Sequence, residues 1–171
     1  MLKPTIVKNI FNSFQDERGF LSTSDISNIY EALELNDFDF RYQLVSSNIS
    51  KNTFRGFHYQ TEPYEQVKIV LVHSGTILDF VFPYKSPLEE NIECFELSVG
   101  DVIAIPSNYA HGFYSLSDNV LLQYIMNNEY SASCYKGING NDFIKNRFND
   151  KKVIISKKDS SLPKKLIKSL T

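Results

Sequence analysis

His58 stands inside Phe54-Arg55-Gly56-Phe57-His58-Tyr59-Gln60-Thr61, three positions after an arginine and between two aromatic neighbours. An imidazole titrates near neutral pH, so it can accept and return a proton under ordinary conditions. A lone histidine on an apolar strand is commonly a packed core residue; the company it keeps here points elsewhere. Lys68 follows ten residues later, His111 sits in Ala110-His111-Gly112-Phe113, Tyr124 lies on a hydrophobic run, and Asp159 ends Ile155-Ser156-Lys157-Lys158-Asp159. Imidazole, ammonium, phenol and carboxylate are the side chains from which general acid–base chemistry is built. They are far apart in the chain, so only folding can bring them together.

Short strands are the elements that must position them. From Gln66 to Phe82 two β-branched, apolar runs flank Ser74-Gly75, which predicts a hairpin of adjacent antiparallel strands. Glu93 to Leu97 alternates, Gly100-Asp101 is a turn, Val102 to Ile105 runs up to Pro106, and Val120 to Met126 follows. Strands at this regular spacing predict a sandwich or barrel. One helix is expected between Ser24 and Leu35, with Ser24 or Asp25 as cap and Ile26, Ile29, Tyr30 and Leu33 at helical spacing. A second is expected near Pro163 to Ile167.

Composition narrows the setting. The chain has 171 residues, 42% of them hydrophobic, and carries no repeat, low-complexity tract or Gly/Ser-rich linker, so one domain spanning 1–171 is expected. Its 18 basic and 20 acidic residues give a net charge of only -2, which argues against nucleic acid or an anionic membrane as partner. Cys94 and Cys134 are too few and too widely spaced for a disulfide framework, and read as ordinary thiols of a reducing compartment. Behind Lys3 no long apolar segment follows, and no stretch approaches the roughly 18 apolar residues that span a bilayer. A cytoplasmic protein is expected.

Gly100, Pro106 and His111 are spaced as in the second signature of the cupin barrels, with Asn108 where that pattern usually has glycine. The resemblance implies a jelly roll. Metal-using cupins take a His-x-His pair and a glutamate from their first signature, because a divalent ion needs three or four converging ligands. This chain offers His58 alone, with Gln60 at the position of the second histidine, so neither metal nor cofactor is expected.

A narrower resemblance follows from five ordered blocks: Asp16-Glu17-Arg18-Gly19-Phe20, Phe54 to Gln60, Gln66-Val67-Lys68, Ile105 to Phe113, and Ser156 to Asp159. Together they resemble the dTDP-4-dehydrorhamnose 3,5-epimerase family over most of the chain. That family implies epimerisation of a nucleotide-linked 4-keto-6-deoxy sugar by removal of a proton beside the ketone and its return to the opposite face. It implies His58 as base, Asp159 as the carboxylate orienting it, Lys68 as the charge that holds the enolate, and Tyr124 as acid. Arg18, Phe20, Gln43, Arg55, His111 and Tyr130 match its substrate-binding positions. It also implies a dTDP-linked substrate and a homodimer in which an N-terminal segment joins the partner's sheet and completes the nucleotide site.

The chain leaves the family pattern mainly where nucleotide is bound: Thr23 replaces a frequent glutamate, Leu44 and Val45 replace a polar pair after Gln43, Val67 stands for glycine, and Gly140 precedes Asn141-Asp142 where tryptophan is usual. A one-carbon epimerase or a ketoisomerase on a related nucleotide sugar therefore remains an alternative. So does a non-catalytic cupin that binds a sugar nucleotide, although a pure binder has no use for a matched acid and base.

Overall fold

The computed structural model describes residues 3–35, 38–148 and 152–167; Met1 and Leu2, part of the stretch inspected for a leader, lie outside them. In chain order its elements are β1 (Thr5–Val7), β2 (Asn12–Asp16), β3 (Gly19–Thr23), α1 (Ile26–Ala32), β4 (Tyr42–Asn48), β5 (Thr53–Gln60), β6 (Lys68–Ser74), β7 (Thr76–Pro83), β8 (Glu93–Ser98), β9 (Val102–Ile105), β10 (Tyr109–Ser115), β11 (Val120–Met126), β12 (Tyr135–Gly137), α2 (Asn141–Arg147), β13 (Ile154–Ile155) and α3 (Lys157–Ser160). One sheet runs β1-β9-β6-β11-β4; the other runs β12-β5-β10-β7-β8, with β13 beside β5. The architecture is the expected all-β jelly roll with a few short helices. β2 and β3 form a separate ribbon.

Alternation along the strands sorts the apolar side chains into three layers. Val70, Val72, Ile77, Val81, Ile103 and Leu122 meet between the sheets. Phe54, Phe57, Phe80, Phe82 and Tyr114 pack behind the second sheet with Ile144 of α2, and Ile69, Leu71, Val102 and Ala104 pack behind the first with Ile29 and Leu33 of α1. Each fully buried side chain of this kind contributes about 1.5–3 kcal/mol. Because β6 and β7 are covered on both faces, their sequences read as continuous apolar runs rather than as alternation.

Two expectations need correction. β6 and β7 are not a hairpin: they lie in different sheets, and Gly75, at φ +79°, is the only residue between them. A single left-handed residue cannot form the two-residue turn that pairs neighbouring strands, so the chain passes from one sheet to the other. Pro163 to Ile167 is not helical either; Ile167 bridges Leu88 in parallel. The helix of that region is α3, just before it, and α2 was not foreseen. α1 does form, its N-cap Asp25 accepting from the backbone N–H groups of Ser27 and Asn28.

Candidate active site

At one end of the barrel the inward positions turn polar and enclose a cavity of about 810 Å³, a size suited to a small-molecule ligand. Arg55 and His58 both line it, though three residues apart on one strand they should face opposite ways. A bulge resolves this: His111 of β10 is registered with His58 and Phe113 with Arg55, so β5 carries an extra residue over that interval. Gly56 sits there at φ +146°, and a Cβ on it would lie 2.6 Å from the Cα of Gly112. Only glycine permits this approach of the two backbones.

Asp159 reaches His58 from the far end of the chain. β13 pairs in parallel with the start of β5, delivering α3 beside it, and Ser156 caps α3 by accepting from the Asp159 N–H at 3.0 Å. The His58 Nε2 lies 2.9 Å from Asp159 Oδ1, and Oδ2 accepts from the Gly56 N–H at 3.4 Å. Burial pushes the Asp159 carboxyl up, but the hydrogen bond and charge of His58 outweigh it, and the net direction is downward. An ionised Asp159 holds the Nε2–H tautomer, which leaves Nδ1 as the nitrogen able to accept a proton.

The facing sheet supplies the rest. Lys68 and Tyr124 project inward from β6 and β11, on adjacent strands. Burial lowers the Lys68 ammonium to about 8, against the opposing pull of the Asp79 carboxylate, and its Nζ has no hydrogen-bond partner. Burial also holds the Tyr124 phenol well above its ordinary range, so it is a neutral donor. The His111 ring stands edge-on to Tyr124 with centroids 5.6 Å apart, its Nε2 2.8 Å from Asp79 Oδ2. Asp79 was not anticipated. A lone carboxylate at an inward position of Ile77 to Phe82, between Ile77 and Val81, was the signal that could have found it.

Seven of the ten residues singled out from sequence line this cavity: His58, Asp159, Tyr124, Lys68, Arg55, His111 and Tyr130. Three do not line it. Arg18 and Phe20 lie on the β2–β3 ribbon, Arg18 paired with Asp16 and Phe20 71% exposed. Gln43 points to the outer face of its sheet, where its Oε1 accepts from Gln123 Nε2 at 3.4 Å; the inward positions of β4 belong to Tyr42 and Leu44. Tyr42, Tyr135 and Lys158 line the cavity without having been foreseen. The Arg55 Nε donates to Asn48 Oδ1 at 2.5 Å, fixing the guanidinium at the cavity edge. Among the described residues no group of three or more His, Cys, Asp or Glu is disposed to hold a metal ion.

Chemically, one wall offers a proton acceptor oriented by a carboxylate, and the facing wall offers a buried ammonium and a neutral phenol. A carbon acid held between them can lose a proton to one side and regain one from the other.

Residues 5–165 match the family model described as dTDP-4-dehydrorhamnose 3,5-epimerase. The enzyme of that name from Shigella flexneri is 36% identical over 132 residues, which cover 73% of this chain and 71% of the relative. A crystal structure of dTDP-4-dehydrorhamnose 3,5-epimerase from Bacillus anthracis, with TDP and PPi bound, is similar at a TM-score of 0.76 and 25% identity, covering 94% of this chain and 93% of that one. A 3'-monoepimerase from Streptomyces bikiniensis in complex with dTDP-quinovose shares the fold, at a TM-score of 0.74 and 19% identity over 97% of this chain and 89% of that one.

Proposed function

The chain belongs to the dTDP-4-dehydrorhamnose 3,5-epimerase family and is an isomerase-class epimerase; from that premise we propose that it inverts both carbons flanking the ketone of a dTDP-linked 4-keto-6-deoxy sugar, with His58 as base and Tyr124 as acid. The observation that carries the assignment of roles is the unpartnered, buried Nζ of Lys68, which lines the same cavity as the His58–Asp159 pair. A buried cation without a partner is costly unless a ligand atom completes it. The oxygen of an enolate supplies that atom.

The proton inventory closes over one cycle. His58 Nδ1 takes the α-proton, and Asp159 stabilises the imidazolium that forms. The electron pair moves onto the ketone oxygen, where Lys68 meets the charge in a site sheltered from water. The Tyr124 O–H then returns a proton to carbon from the facing wall, inverting the centre. Solvent removes the proton from His58 and restores that of Tyr124. Arg55, at the edge of the cavity, suits a diphosphate oxygen because its fork can bind two oxygens at once.

We also infer a homodimer. The ribbon of β2 and β3 exposes Phe14, Phe20 and Leu21 at 62%, 71% and 65%, and an isolated two-stranded ribbon of this kind is not stable facing water. A second copy covering it would bring Arg18 and Phe20 to the partner's cavity. No helix among the described residues is long and apolar enough to cross a membrane; a cytoplasmic site of action fits the two free cysteines.

Solvent deuterium exchange with dTDP-linked 4-keto-6-deoxyglucose tests the assignment. Label entering at both carbons beside the ketone is expected. Label at one carbon would make the enzyme a one-centre epimerase, and none with either dTDP- or GDP-linked 4-keto sugars would leave a binding module.

A further inference from the structure

The hydrogen bond to Asp159 fixes one edge of the His58 imidazole, but a single bond leaves the ring free to turn about the Nε2···Oδ1 line. Turning matters because the lone pair of Nδ1 lies in the ring plane. A proton acceptor that rotates about this line sweeps its lone pair away from the carbon it must reach. Something else has to set the plane.

The ring of Tyr135 lies against the imidazole, centroids 5.4 Å apart and planes inclined by 30°. The register explains the contact: Gly137 of β12 is opposite His58 and Tyr135 is opposite Gln60, so the tyrosine is the diagonal neighbour on the same face. At Gly137, directly opposite His58, the Leu162 side chain takes the place a Cβ would occupy. The Lys158 ammonium is 4.8 Å from the Tyr135 ring centroid. Lys158 precedes Asp159 on α3, so the contacts close on themselves: Asp159 holds the edge of His58, the tilted Tyr135 ring neighbours the imidazole, and Lys158 holds the tyrosine. Tyr130, with its centroid 5.6 Å from that of Tyr135, braces the tyrosine further.

We propose that Tyr135 is a positioning residue for the base, its ring setting the plane of the His58 imidazole so that Nδ1 faces the substrate carbon. The role belongs to the ring and not to the hydroxyl, and it rests on His58 being the base. The cation over the tyrosine limits the freedom of the ring itself, which makes Lys158 part of the same clamp.

The test compares Tyr135→Leu with Tyr135→Phe in the full-length protein, following deuterium uptake into dTDP-linked 4-keto-6-deoxyglucose. Tyr135→Leu is expected to lower kcat by about tenfold to a hundredfold, the loss that follows when a reacting group is misplaced by about 1 Å, with KM within about threefold. Tyr135→Phe is expected to stay within about threefold of the wild type in both constants. A second readout needs no substrate. The carbon-bound imidazole protons of His58, assigned with His58→Gln, should be shifted upfield by the tyrosine ring in the wild type and in Tyr135→Phe.

Equal turnover in Tyr135→Leu and wild type overturns the proposal. So does a loss in KM alone, which would make Tyr135 a substrate contact, or a loss in Tyr135→Phe as deep as in Tyr135→Leu, which would assign the work to the hydroxyl. If Tyr135→Leu does not fold, wild-type imidazole protons without an upfield shift overturn it equally. Failure of the epimerase assignment looks different, since the wild type itself would then exchange nothing while the ring contact persisted.

Discussion

Lys68 Nζ and Asp79 Oδ1 are both buried and both without a hydrogen-bond partner, and the Asp79 carboxylate is the charge that resists the loss of the Lys68 proton. Asp79 meanwhile is pushed up by its own burial, against the pull of His111 and Lys68. The facing of the two sheets brings these charges close enough that each shifts the other. The cation proposed to hold the enolate is thus kept charged by a residue that does not line the cavity.

Asp79→Asn should therefore move Lys68 further below about 8. Removing an anion disfavours the ammonium, so the alkaline limb of the pH profile of kcat/KM is expected at lower pH than in the wild type. Full activity below that limb should fall less than activity at pH 8. An alkaline limb that stays in place would disconnect the two residues.

Lys68 also bears on stability. Its folded value lies below the ordinary lysine range, so from about pH 8 upward the unfolded chain binds the proton that the folded one has released, and stability gains with pH there. Below pH 8 the buried ammonium carries its full cost, at most about 3 kcal/mol. Lys68→Met is expected to raise Tm at pH 7 and to lower turnover at least about a hundredfold. A lower Tm in calorimetry would mean that the ammonium is satisfied in the folded state after all.

Asp159 contributes stability where Lys68 costs it, with the same direction of pH dependence. Its folded value is depressed, so its contribution is present above the ordinary carboxylate range and is lost as pH falls through the folded value. Asp159→Asn should flatten the decline in stability below about pH 4 and slow deuterium exchange by about a hundredfold or more. His58→Ala should abolish exchange while nucleotide binding stays nearly intact, and Tyr124→Phe should still permit proton loss but impair inversion. Exchange at the wild-type rate in His58→Ala would remove the base.

Complementation tests the ribbon. If Arg18 serves the partner's cavity, Arg18→Ala and His58→Ala chains are each defective alone, yet a mixed dimer holds one site with both residues. With random mixing, half of the dimers are hybrids and each has one good site, so about a quarter of wild-type activity is expected. Mixtures no more active than the parents would show that Arg18 does not act across a dimer.

What could be read from the chain was the set of side chains and the strands that carry them. His58, Lys68, His111, Tyr124 and Asp159 converge because each sits on a strand or helix whose apolar neighbours fix its face. What could not be read were events that break the period of two or carry the chain from one sheet to the other. Gln43 matches a family position, yet alternation along β4 turns it outward beside Gln123. The passage of the chain between sheets at Gly75 was hidden because β6 and β7 are apolar on both faces. Tyr135 carries no motif of its own; its place beside His58 comes from the pairing of β12 with β5.

The bulge in β5 is where this dependence on local backbone can be tested most sharply. Arg55 and His58 share the cavity only because the chain gains a residue between them, and Gly56 occupies that point at φ +146° with Gly112 pressed against it. In Gly56→Ala the new Cβ meets a backbone atom, which cannot swing aside as a side chain could, and the dihedral itself is one that alanine avoids. A destabilisation of about 2–4 kcal/mol is expected, with exchange activity lost even where the protein stays folded, because relaxing the bulge rotates His58 away from Asp159. Alanine at 56 with wild-type stability and turnover would mean that the bulge does not set the direction of the base.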